Sequence, residues 1–135
     1  MVVTTNSSAA WKMGWTLTVL VTLALLANGL FSVFGRYFAP EAVAAMAREG
    51  GFTPAQSLTV GWIMLVCGLL YAIPRTAVLG AILLTGFVGG AICTEFRIGL
   101  ILSASQASNV LLGILPWGGL YLRDARLRAL LPLRS

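Results

Sequence analysis

The chain has 135 residues, of which 59% are hydrophobic and only 10% charged, with no histidine and a formal net charge of +5. Its mean hydropathy is +0.92. Soluble domains carry about a quarter charged residues, so a water-facing globule is excluded and lipid must be the solvent for most of the chain. Residues 13–35, 50–74, 76–94 and 98–122 carry no charge at all. Each window meets or nearly meets the roughly 20 apolar residues that a helix needs to cross a bilayer. Four such runs in so short a chain predict an all-α fold, a transmembrane four-helix bundle forming a single integral membrane domain.

The first predicted span is 15–34. No small-x-small cleavage site follows it, so it reads as a retained anchor and not as a cleaved leader. Next comes a short segment that opens with Pro40 and stops at Gly50-Gly51. Val43, Met46 and Ala47 share one face of it, with Glu41, Arg48 and Glu49 largely on the other. That pattern predicts a short outer interfacial helix, with a plain polar loop as the alternative. Thr53-Pro54 is a helix start, an N-cap followed by proline at the first helical position. The second span therefore runs 54–73. Pro74-Arg75 reverses the chain into the third, 76–94. The last window opens with Ser103, Ser105, Gln106, Ser108 and Asn109, which places the fourth crossing at 104–122. Pro116, Gly118 and Gly119 predict a kink near its end. A basic C-terminal segment follows. It is expected on the membrane surface, with Leu127, Leu130 and Leu131 inserted and Arg123, Arg126, Arg128 and Arg134 at phosphate level.

Four spans put both termini on one side. Lys12, Arg75 and those four arginines lie there, against Arg36, Arg48 and Arg97 on the other side, where Glu41, Glu49 and Glu95 balance them. Basic residues mark the cytoplasmic face, so both termini are expected in the cytoplasm. The partner implied by this charge is the lipid bilayer with its anionic inner leaflet, and no nucleic acid.

In the third span Gly86 and Gly90 form a GxxxG, flanked by Ala81, Thr85 and Gly89. Such faces let helices approach closely. Packing inside one bundle is the expected use, with the seam of a homo-oligomer as the alternative. Cys67 and Cys93 are separated along the membrane normal by roughly 16 Å, too far for a bridge. Without histidine or a CxxC pair the chain has no metal-ligand spacing and no cofactor motif. Polar residues within the spans gather toward the outer side: Asn28, Ser32, Gln56, Glu95, Arg97, Ser103, Gln106 and Asn109. An outward-opening ligand pocket is the sharper reading, since polar groups in lipid are costly. Charges at the water interface, with amides tying helices together, is the blander one.

Two runs carry a family resemblance. One is Leu70, Tyr71, Pro74, Arg75, Gly80, Gly86, Gly90 and Ala91. The other is Trp117, Gly118, Gly119, Tyr121, Arg123, Asp124, Arg126, Pro132 and Arg134. Together they resemble the DoxX-like family of small four-helix bacterial membrane proteins. The resemblance implies an inner-membrane bundle. The wider superfamily includes a subunit of a thiosulfate:quinone oxidoreductase and a protein needed for methylamine dehydrogenase maturation. Members commonly carry an acidic residue and a lysine in the first helix, an acidic residue in the second and a histidine after the third. Here Asn28, Ser32, Met64 and Glu95 stand at those places, and only Arg97 of that polar set is kept. Glu95 is the one ionisable group that can substitute. The expected role is an accessory or structural subunit of a quinone-linked membrane redox system, working with other membrane subunits. The alternative is a small oligomeric transporter or channel, disfavoured because no carboxylate lies in mid-membrane. No nucleophile, metal set or cofactor motif points to catalysis by the chain alone.

Overall fold

The computed structural model describes the backbone of residues 8–130 and the side chains of residues 8–129. Arg134, Leu131 and the Leu130 side chain, assigned above to the membrane surface, lie outside it. The described residues are helical nearly throughout, without strands. The elements are α1 (Ser8–Phe34), a 3-10 turn (Gly35–Tyr37), α2 (Pro40–Glu49), α3 (Pro54–Ala72), α4 (Ala77–Arg97), α5 (Ala104–Arg123) and α6 (Ala125–Leu130).

Local sequence sets most of the boundaries. Thr53 and Gln56 form a reciprocal capping box at the start of α3, with Pro54 first in the helix. Ser103 caps α5 by accepting the Gln106 N–H. The α2 helix ends where Gly51 turns left-handed (φ +69°), so that the Phe52 and Gly51 amides return to the Ala47 and Arg48 carbonyls. Gly99 (φ +81°) ends α4 in the same way, with Leu100 and Gly99 bonded back to Glu95 and Phe96. The third long helix thus runs through both Glu95 and Arg97, beyond its predicted end at 94. Pro116 stays inside an uninterrupted α5.

Four long helices form a ring in which α1 packs on α3 and α5, and α4 closes the gap between those two. Stretches within α1 (with its 3-10 turn), α3 and α4 are long and apolar enough to cross a membrane. The α5 helix has 20 residues, about 30 Å, but begins with a polar stretch. Val21, Leu25, Met64, Cys67, Tyr71, Ala81, Leu84, Val88 and Leu120 fill the interior. Leu20, Leu23, Val66, Leu69, Ile82 and Ile114 are exposed, which suits a hydrocarbon surrounding. On α2, Val43 and Ala47 turn toward the bundle, while Met46 is exposed.

Two sequence expectations are corrected here. Gly86 and Gly90 make no close contact within the chain, since a Cβ at either would meet nothing within 4 Å. The glycines that bring helices together are Gly29, Gly61 and Gly68 between α1 and α3, Gly14 and Gly119 between α1 and α5, and Gly80 between α3 and α4. Leu127 is also not inserted in lipid. The short α6 folds under the bundle and Leu127, 7% exposed, joins its core.

Candidate functional site

Buried polar or charged side chains among the described residues are Thr18, Glu95 and Gln106. The last two sit together at the α2 end of the bundle. Glu95 lies in the last turn of α4 and is 7% exposed. Its Oε1 accepts hydrogen bonds from Ser105 Oγ and, at 3.0 Å, from Asn109 Nδ2. Ser105 and Asn109 are four residues apart on α5 and so share a face. Glu95 Oε2 is buried and has no hydrogen-bond partner among the described residues. An unpaired buried acceptor costs about 1–3 kcal/mol, so this oxygen is poised to take a hydrogen bond.

Gln106 is held by its own turn. Its Oε1 accepts the Leu102 N–H at 2.7 Å while its backbone N–H reaches Ser103 Oγ. Its side-chain amide nitrogen donates to no described residue. It faces an open apolar groove of about 630 Å³ between α4 and α5, lined also by Ile92, Phe96, Leu102, Val110 and Leu111. Gln106 lines this groove, while Glu95, Ser105 and Asn109 do not.

The other predicted pocket residues are elsewhere. Arg97 is exposed and lines a separate cleft with Phe52, Gln56 and Cys93. It makes no ion pair with Glu95 or with any described residue. Two positions along a continuing helix point in different directions. Asn28 is exposed on α1. Ser32 faces Gly61 and borders a small pocket with Arg36, Pro40 and Val43. Of the predicted set, the fold brings together Glu95, Gln106 and Asn109, adds Ser105, and leaves out Asn28, Ser32 and Arg97. The spacing of Ser105 and Asn109 was the available signal for the addition.

A second cluster, not foreseen from sequence, lies at the opposite end. Tyr71 is fully buried and donates to the Pro116 carbonyl at 3.1 Å. Its hydroxyl lies 3.4 Å from that of Thr18, which donates to the Gly14 carbonyl. Nothing in the sequence links residues so far apart. Among the described residues no three His, Cys, Asp or Glu side chains come together, and Cys67 and Cys93 are free.

Helices apolar enough to span a membrane, an apolar interior and polar clusters at the two ends define a small helical membrane protein. The chain belongs to the DoxX-like family, whose model matches residues 16–119. Comparison with curated proteins and with solved structures finds no match.

Proposed function

We propose that this chain is an accessory subunit of a quinone-linked membrane redox system, presenting its polar cluster at Glu95 to a lipid-soluble ligand. The half-satisfied Glu95 carboxylate carries this reading. It is fixed by two donors from α5, has one oxygen to spare, and stands near a groove shaped for an apolar body. A quinol has that division, a flat apolar ring whose hydroxyls donate as well as accept. Gln106 supplies the donor and Glu95 the acceptor. The chain would position the ligand for a partner that holds the redox centre.

A transporter built from copies of the chain is the alternative. The interior between Thr18 and Glu95 is filled by Leu25, Met64, Leu84 and Val88, so a polar path would have to run between copies. The open Gly86–Gly90 face is where they would meet.

Glu95→Gln is expected to weaken stabilisation by a short-chain benzoquinol, whose hydroxyl donates to Oε2, by about 10- to 100-fold in Kd, the worth of a charge-assisted hydrogen bond. Asn109→Ala should couple to it non-additively, because the two side chains touch. Arg97→Gln should add independently. Unchanged quinol-dependent melting in the Glu95 variant would remove the reading.

The same proposal places both termini in the cytoplasm of a bacterial cell, with the bundle in the inner membrane. Lys12, Arg75, Arg126 and Arg128 all lie at the terminal end, where an anionic leaflet would meet them. A cytoplasmic reporter fused after Ser135 is expected to be active. Phosphatase activity from that position, with a silent cytoplasmic reporter, would reverse the orientation.

A further inference from the structure

The terminal end holds a polar cleft that the quinone reading does not use. Arg123 closes α5, and its guanidinium carbon lies 4.7 Å from the centre of the Trp15 ring and 5.8 Å from that of Tyr71. Nη1 is buried without a hydrogen-bond acceptor among the described residues, and the aromatic faces steady the cation. Asp124 follows in extended backbone between α5 and α6 (φ −113°, ψ 107°). Its Oδ1 accepts the Arg126 N–H at 2.9 Å, and its Oδ2 has no hydrogen bond from a described residue. Arg123 and Asp124 make no ion pair. Both nevertheless line one cleft of about 190 Å³, whose other walls are Trp11, Trp15, Pro74 and Leu120.

Opposite charges that sit side by side without a direct ion pair match a ligand that carries both signs. Indole walls at a membrane boundary match a lipid. We propose that this cleft holds the headgroup of a zwitterionic phospholipid with a primary ammonium, a phosphoethanolamine lipid. The phosphate diester takes the outward donors of the Arg123 fork. The ammonium donates to Asp124 Oδ2. A trimethylammonium headgroup has no N–H for that carboxylate, and a glycerol headgroup brings no cation. Lys12, Arg75, Arg126 and Arg128 lie at the same end of the bundle and draw anionic lipid to the leaflet generally. The cleft itself carries one charge of each sign.

The test uses the full chain in detergent, exposed to an equimolar mixture of phosphatidylethanolamine, phosphatidylcholine and phosphatidylglycerol. Retained lipid is read by native mass spectrometry, and stabilisation is read by titrating each lipid alone. One phosphatidylethanolamine should be retained, binding about three- to fivefold tighter than either competitor, the size of an interfacial ion pair. Asp124→Asn should erase that preference while leaving lipid binding, and Arg123→Gln should lose retention of all three. Asp124 is the safer variant, because its side chain meets only a backbone amide in the structure. Phosphatidylglycerol retained as well as or better than phosphatidylethanolamine would overturn the proposal. So would a preference that survives in Asp124→Asn, or displacement of the lipid by inorganic phosphate alone, which would make the cleft a simple anion site.

Discussion

Replacing Gly80 by alanine is expected to destabilise the bundle by about 1–3 kcal/mol, the usual range for overpacking a tight site. A Cβ at Gly80 would lie 2.5 Å from the Tyr71 nitrogen, 2.7 Å from its Cα and 2.9 Å from the Leu70 carbonyl carbon. All three are backbone atoms, so no side chain can swing aside. Relief requires α3 and α4 to part just beyond the Pro74-Arg75 reversal, where the connection is shortest. Gly86→Ala and Gly90→Ala are the controls. Neither meets a neighbour within the chain, and alanine exceeds glycine in helix propensity by about 0.8–1 kcal/mol. Those two variants should melt at or slightly above the parent temperature in detergent. If Gly80→Ala melts with them, the close approach of α3 and α4 is not as described.

Tyr71→Ala should cost more, about 3–5 kcal/mol, as expected for removing a large aromatic side chain from a packed core. Tyr71 is fully buried and touches three other helices. Its backbone meets Gly80 of α4, its hydroxyl reaches the Pro116 carbonyl of α5, and the same oxygen approaches Thr18 of α1. Its ring also flanks Arg123. Tyr71→Phe keeps the packing and loses the hydroxyl, which should cost about 1–1.5 kcal/mol. The expected order in thermal unfolding is parent, then phenylalanine, then alanine. Equal losses in both variants would show that the hydrogen bond, and not the ring, holds this end together. No loss in the alanine variant would dismiss Tyr71 as the junction.

How far the candidate site could be read in advance depended on distance along the chain. Ser105 and Asn109 are one helical turn apart, so their common face followed from spacing. That Glu95 would be the group they meet did not, because the meeting depends on how α4 and α5 lie against each other. The expected neighbourhood of Glu95 and Arg97 failed for a local reason. Gly99, not Thr94, ends the helix, so both residues stay helical and diverge. The left-handed stop was visible as a glycine two residues after Arg97, a better terminator than the charges themselves. Gly86 and Gly90 show the converse. A GxxxG spacing says that a smooth face exists, and nothing about which way it points.

What the sequence determined by itself were properties that act over one helical turn or one window. Charge-free runs placed the long helices, since each backbone amide in lipid must bond within its own segment. Thr53, Gln56, Gly51 and Gly99 placed several of their ends, since capping joins residues only a few positions apart. The tertiary structure alone decided which glycines carry the contacts, that Leu127 turns inward, and that Glu95 keeps one oxygen free. It also alone brought Trp15, Tyr71 and Arg123 together. In the apolar spans nearly every face of a helix is hydrophobic, so no moment tells the inside from the outside. The inward face is then chosen by shape, by where a glycine lets another backbone approach, and that exists only once the helices meet.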